Sequence, residues 1–403
     1  MPSKQRVLAA LDHIETDRPP IDLGATRTSG ISAIAYRRLI EALCIREDVR
    51  VFDCKQQLAE VSPAVAERLG VDVLPVPRLA LTSAMPFLCM DRWKAGAMTD
   101  GAPCLVPEGL QTRETADGRV EIVDGGEVHG WRSPESFYFD VACAPLAGAE
   151  TEADIDAYTF PDPWSEREAA FVRARLAEVK GSGKALFGSL PMFNCSFFEL
   201  SLVLFGHEKF MLMMLEEPAL VAHWLDRLLD HDLEILGHYL TIAGPHLDVI
   251  QLNDDLGAQN ALQISPDSYR RLFKPRQKRW IEFVKARTNA QVFIHSDGAI
   301  ADILPDFIEI GIDILNPLQS TASGMDAARI KTEFGKDLCF WGGGIDTQLT
   351  LPFRSVEEIR AEVRENVRVL GAGGGFVFAS IHNIQPDIPP EKILAAFDAA
   401  AGK

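Results

Sequence analysis

Two histidines stand where side chains can do chemistry. His295 and His382 each close a short apolar run, in a chain with nine histidines. His295 is followed by Ser296, Asp297 and Gly298. On an extended strand residues i and i+2 share a face, so His295 and Asp297 point the same way as far as the strand runs. An imidazole beside a carboxylate can hold a metal ion or move a proton. The plainer alternatives are a satisfied core histidine and an Asp that opens a turn before glycine.

Other apolar runs end in polar residues of the same kind. One ends in Asn253, Asp254 and Asp255, with Gln259 just beyond; another ends in Asn316, with Gln319 beyond. A third leads through Gly342–Gly344 to Asp346, and the last carries Asn383 and Gln385 after His382. Asp254 and Asp255 are adjacent, so only one can face a shared site. Asp254 is expected inward, and Asp255 is expected to cap a turn or pair outside. Asn253, Gln259, Asn316, Gln319, Asp346 and Asn383 are candidate substrate-binding residues. Asp346 serves equally as a helix cap. Arg27, in Ala25–Gly30, could clamp a substrate carboxylate with two parallel hydrogen bonds. A solvated surface arginine is its ordinary alternative. The glycine triplet gives backbone freedom but is no phosphate loop, because the Lys and Ser/Thr of that motif are missing. Cys339 lies inside an apolar run and reads as a small buried hydrophobe, whereas Cys195 falls near a rim. Neither a GxSxG elbow nor an HExxH pair occurs.

Residues at strand ends meet only if the strands lie side by side. Short β-rich runs are expected at Ile21–Leu23, Val71–Val76, Ala185–Leu190, Leu247–Leu252, Gln291–His295, Ile312–Asn316, Leu338–Trp341 and Phe376–Ile381. Helical patterns follow the later ones, at Pro266–Lys285, Ile300–Ile310, Met325–Phe334, Val356–Leu370 and Pro390–Ala400. Strand–helix alternation means a parallel sheet. Eight units without a GxGxxG turn predict an α/β fold of the (β/α)8 TIM-barrel type, in which chemistry sits at the C-terminal strand ends. An open doubly wound sheet is the alternative. Two stretches break the rhythm. Residues 85–145 hold turn signals between β-rich pieces and predict a hairpin insertion. Residues 196–243 are densely helical and apolar, which predicts extra helices packed over the barrel or at a dimer contact. With no repeat or linker, residues 1–403 are expected to form one decorated domain.

Composition limits the partners. The formal charge of −18 repels phosphate backbones and anionic lipid surfaces, which excludes nucleic acid and a membrane surface as expected partners. No apolar run reaches membrane-spanning length, and the first residues lack the apolar core of a signal peptide. Seven cysteines without a CxxC pair fit free thiols in a cytoplasmic protein. A homodimer is the default assembly.

The strand-end motifs, in this order, resemble the uroporphyrinogen decarboxylase superfamily. The likeness is strongest from Leu247 onward, in Asn253–Gln259, Ile264–Tyr269, His295–Gly298, Asp313–Pro317, Gly343–Asp346 and His382–Glu391. The resemblance implies a (β/α)8 barrel and one of two chemistries: cofactor-free decarboxylation, or zinc-dependent methyl transfer between a corrinoid protein and a thiol or folate. The decarboxylases carry an Arg-Gln-Ala-Gly-Arg-Tyr motif near the N-terminus, which is missing here. The methyltransferase branch looks closer. Its zinc ligands resemble His-x-Cys-Gly, and this chain has His295, Ser296, Asp297 and Gly298 in that place, with Asp for Cys.

Three functions are therefore expected in competition. The first is a methyltransferase with a metal, zinc foremost, held by His295, Asp297 and His382, with Asp254 as a further ligand. Its partner would be a corrinoid protein or a folate. The second is a metal-free lyase for a small carboxylic acid, in which His295 or His382 donates the proton, Asp254 or Asp297 orients it and Arg27 holds the carboxylate. The third is a non-catalytic barrel that binds a corrinoid or another small ligand.

Overall fold

The computed structural model of the protein describes residues 1–80, 85, 87–142, 144–189 and 196–403. Its centre is a curled, seven-stranded parallel sheet. The strands are β1 (Val73–Pro75), β2 (Ala185–Gly188), β3 (Val249–Asn253), β4 (Gln291–His295), β5 (Ile314–Asn316), β6 (Cys339–Trp341) and β7 (Phe376–Val377). They pair in sequence order from β1 to β7. Parallel pairing follows from the helix returned between successive strands.

Eight strands were expected, and the first is not a regular one. Ile21 makes a single parallel bridge to Phe378. Around it, Asp22 N donates to Phe378 O (2.8 Å), Phe378 N donates to Pro20 O (2.8 Å), and Asp72 N donates to Ile21 O (2.8 Å). The segment thus bonds to the chain beside both edge strands, β7 and β1. It stays short because Pro19 and Pro20 bring no N–H donors and Gly24, at φ +86°, turns the chain away. Strands β1 and β7 are also shorter than expected. Leu190, at the expected end of the third run, lies outside the described residues.

One face of the curled sheet is filled by Val73, Phe187, Val249, Phe293, Ile314, Cys339, Trp341 and Val377, with Val7 and Leu11 beneath them. Phe187, Phe293 and Trp341 meet edge to face, with ring centroids 5.0–5.8 Å apart. Cys339 is buried in this layer, as expected. The alternation of the pleat then places Gln251 and Asn253, His295 and Asn316 on the same inner face, one or two steps above the apolar layer. Helix Ser3–Leu11 closes the bottom, where Arg6 and Arg18 pair with buried Asp72.

The helices follow the expected order with local departures. The long Pro266–Lys285 pattern is broken by a wide turn at Tyr269–Phe273 before helix Lys274–Lys285. Helix Val356–Gly371 starts with a capping box between Ser355 and Glu358. The extra region folds as helices Phe198–Phe205, His207–Glu216 and Pro218–Ala243, the last packed on Glu166–Val179 and Lys274–Lys285. The insertion is larger than one hairpin. Trp93–Ala97 pairs with Pro103–Pro107, and a separate four-stranded antiparallel sheet spans Thr112 to Val141. No helix among the described residues is long and apolar enough to cross a membrane.

Candidate functional site

His295 is the fixed point of the rim. It ends β4, is buried, and pairs in register with Asn316 on β5. Its Nδ1 lies 2.7 Å from Asn316 Oδ1. Its Nε2 faces two carboxylates, Asp255 Oδ1 at 3.3 Å and Asp297 Oδ2 at 3.6 Å. One ligand atom from each of Asp255, His295 and Asp297 lies within 4.8 Å of the others. His382 stands at the edge of this group, with Nε2 3.9 Å from Asp297 Oδ2 and its ring centroid 6.5 Å from that of His295.

The geometry corrects the expected choice between the two aspartates. Val249, Gln251, Asn253 and Asp255 share one parity on β3 and its extension, so Asp255 follows the inner face. Asp255 is held there by the Asp297 N–H, which donates to Oδ1 at 2.9 Å. Asp254 turns the other way and is fully buried. Its Oδ1 accepts from Ser196 Oγ (2.9 Å) and from the Phe198 N–H (2.7 Å), and its Oδ2 accepts from Gln277 Nε2 (3.1 Å). Its side chain anchors the start of helix Phe198–Phe205, and only its backbone N–H meets His295, donating to the carbonyl oxygen at 2.9 Å.

Glycines let the two acidic loops meet. A Cβ on Gly298, at φ +89°, would come 2.6 Å from the Gly257 carbonyl carbon, and one on Gly257 would come 2.4 Å from Asp297 O. Only backbone without side chains can pack this closely. The amides expected to bind substrate largely tie loops together. Gln319 Oε1 accepts from Gly298 N (2.8 Å), and its Nε2 donates to Gln259 Oε1 (3.1 Å). Gln259 Nε2 donates in turn to Thr321 O (2.7 Å). Asp346 caps a turn by accepting from the N–H groups of Gln348, Leu349 and Thr350. Asn316 is spent on His295, Thr28 and Trp341. Asn253 Nδ2 donates to Glu199 Oε2. Asn383 Oδ1 accepts from Tyr138 Oη–H (3.1 Å), and its Nδ2 donates to Gln56 Oε1 (3.1 Å).

Arg27 is buried and donates through Nε to Asp53 Oδ2 at 2.5 Å, with Nη2 against the same oxygen. Its Nη1 is buried with no hydrogen-bond partner among the described residues. A cavity of about 190 Å³ opens beside the acidic group, lined by Asp297, Gln319, Thr347, His382, Asn383 and Gln385 among others. A larger one, about 500 Å³, touches Arg27 but lies between β1 and helix Glu166–Val179 and reaches none of Asp255, His295 and Asp297.

Burial and charge oppose each other at the group. Burial works against a protonated His295, but Asp255, Asp297 and Asn316 more than offset it, so its pKa stands above the ordinary value. Burial raises the Asp297 carboxyl, His295 and His382 pull it down, Asp255 pushes it up, and the net is upward. Glu199 stands well above the carboxylate range, first through burial and then through repulsion from Asp255 and Asp254, with Arg27 and Lys55 pulling the other way. Burial pushes Asp254 up to about 7. Asp255, Asp297 and Glu199 thus crowd negative charge around His295. Two carboxylates and an imidazole lone pair are also a donor set that fits a divalent ion.

The rim also gathers Glu199, Thr28 and Tyr138, which the sequence does not single out, and Asp255, which it expects to point outside. The parity from Val249 pointed to Asp255. Glu199 was masked by its place at the start of an apolar helix, and Tyr138 arrives from the distant insertion. Cys195 lies outside the described residues.

Known proteins add a family. Over 75 residues the chain is 35% identical to a uroporphyrinogen decarboxylase of Nitrosococcus oceani, a match spanning 19% of this chain and a fifth of that relative's length. Over its whole length it shares its fold with a methyltransferase from Methanosarcina mazei, at 18% identity, a TM-score of 0.62 and 99% coverage of that chain. Residues 148–402, which carry β2 to β7 and the group around His295, match the uroporphyrinogen decarboxylase (URO-D) family, and the chain belongs to that family.

Proposed function

We propose that the protein is a methyltransferase-like enzyme with a divalent metal at Asp255, His295 and Asp297. In this reading the seven-stranded sheet and the Pro20–Asp22 segment together make a (β/α)8 barrel, and the group sits at its C-terminal rim. The observation that carries it is the His295 Nε2 placed between two carboxylates that a cation would neutralise. The ligand set differs from the one expected: Asp255 replaces Asp254, and His382 stands beside the group. Zinc fits, as do other ions that accept nitrogen and oxygen ligands. When bound, such an ion supplies Lewis acidity, which lowers the pKa of a ligated thiol, alcohol or water. The chain's own residues hold the reactants. Arg27 Nη1 offers a free donor to an anionic group. His382 lines the smaller cavity, within reach of what Asp297 holds. Glu199 Oε2 accepts from Asn253 Nδ2, which leaves Oε1 to carry a proton. The methyl carrier is a corrinoid or a folate.

The same geometry favours a second reading on one point. A protonated His295 flanked by two carboxylates, with Arg27 unsatisfied nearby, suits a metal-free lyase for a small carboxylic acid. An absorbance assay separates the two. Zinc-loaded protein is mixed with methylcobalamin and simple thiols, or with cob(I)alamin and methoxylated acids. Methyl transfer changes the cobalt spectrum, and His295→Ala should abolish the change. No spectral change with any pair, alongside carbon dioxide release by metal-free protein, would favour the lyase.

A further inference from the structure

We infer that Asn316 is a positioning residue that fixes the tautomer of His295 and so decides which ring nitrogen meets the metal. The inference rests on the metal reading for its use, but its structural part stands without it. An amide side chain can be turned by 180° in principle, so its orientation has to be argued from its partners. Asn316 Nδ2 donates to Trp341 O at 2.6 Å. Reversed, Oδ1 would face that carbonyl oxygen, and two acceptors would repel. The amide is therefore set with Oδ1 toward Thr28 Oγ1 (3.1 Å) and His295 Nδ1 (2.7 Å). Thr28 donates its hydroxyl proton to Oδ1. Asp255 Oδ1 lies 3.3 Å from Nε2, but Asn316 Oδ1 is the closer acceptor, so the one proton of a neutral ring goes to Nδ1.

A neutral imidazole has one N–H. With that proton on Nδ1, the Nε2 lone pair is exposed toward Asp255 and Asp297, the arrangement a metal ligand needs. The device is built across three neighbouring strands: His295 ends β4, Asn316 ends β5 and Trp341 ends β6. Gly342 makes room for it. A Cβ there would come 3.0 Å from Asn316 Nδ2, and its φ is +90°. The orienting group is a neutral amide, so it directs the ring without adding a further negative charge to a group that already holds two aspartates. The expected substrate-binding role of Asn316 gives way to this one.

The test reads the ring directly. Two-bond proton–nitrogen spectra of metal-free protein, at a pH where His295 is neutral, should show Nδ1 protonated and Nε2 bare. Asn316→Leu should mix or reverse the tautomers and weaken Zn2+ binding 10- to 100-fold, measured by competition with a chromophoric chelator. Asn316→Asp keeps an acceptor opposite Nδ1 and should restore the tautomer, at a cost in stability because its second oxygen faces Trp341 O. A wild-type ring protonated on Nε2 would overturn the inference, and that measurement needs no variant to fold. So would Asn316→Leu with unchanged tautomer and unchanged affinity. Wild-type protein with the Nδ1–H tautomer and no Zn2+ binding would uphold the positioning role and overturn the metal reading.

Discussion

Asp254 and Asp255 are neighbours with opposite tasks. Asp254 is buried and holds the start of helix Phe198–Phe205, whereas Asp255 faces His295. Asp254→Ala strips the hydrogen bonds from Ser196, Phe198 and Gln277, leaving buried donors unmet. Loss of stability on the order of 2 kcal/mol is expected in urea unfolding. Asp255→Ala should cost the metal-free protein much less, because the one Asp297 N–H bond it removes is offset by relief of the repulsion from Asp297. Equal destabilisation by both variants would contradict these assignments. At this scale the sequence was half legible. His295, His382 and Asp297 could be read from where apolar runs end. The inward face of Asp255 follows only from a parity counted from Val249, and the hydrogen-bond partners of Asn316 and Gln319 lie on other strands, out of reach of a local pattern.

The elements explain how distant residues meet. The loop after β3 brings Asp255 and the loop after β4 brings Asp297, and the two touch through Gly257 and Gly298. Gly298→Ala puts a methyl group into that contact at a positive φ. It should cost about 2 kcal/mol or more in chemical denaturation and loosen whatever Asp255 and Asp297 hold together. An unchanged midpoint would show that the contact is not tight. The strand–helix alternation from Leu247 onward was legible because each run is apolar and ends in a polar residue. The insertion was not. Its turn signals gave one hairpin, but strand pairing between Thr112 and Val141 is set by cross-strand contacts that a local pattern does not carry. Tyr138, which reaches Asn383 and Gln385 on the rim, was invisible for the same reason.

For the whole molecule, the Pro20–Asp22 segment bonds to the chain beside both edge strands, and Asp22 is its buried carboxyl. Asp22 accepts from Ala25 N and Trp341 Nε1, and burial pushes its pKa up to about 6. A free Asp titrates near 3.9, so the folded state binds the proton more tightly. The stability this supplies is fully present below about pH 4 and is lost as the pH rises through about 6. Wild type should therefore lose stability relative to Asp22→Asn between pH 4 and 7, followed by urea midpoints. Parallel profiles would contradict the assignment. The parallel order of the sheet was legible in the sequence, but the irregular first strand was not, because two prolines and a turning glycine leave it one bridge.

A metal held by Asp255, His295 and Asp297 is the core of the proposed function. The direct measurement is metal content by mass spectrometry, on wild type purified without chelator and on Asp255→Ala, His295→Ala and Asp254→Ala prepared alongside. About one divalent metal per chain is expected in wild type and in Asp254→Ala, and its loss in the other two. A folded wild type that carries no metal and takes up none from added Zn2+, or an Asp255→Ala variant that keeps its metal, would contradict it.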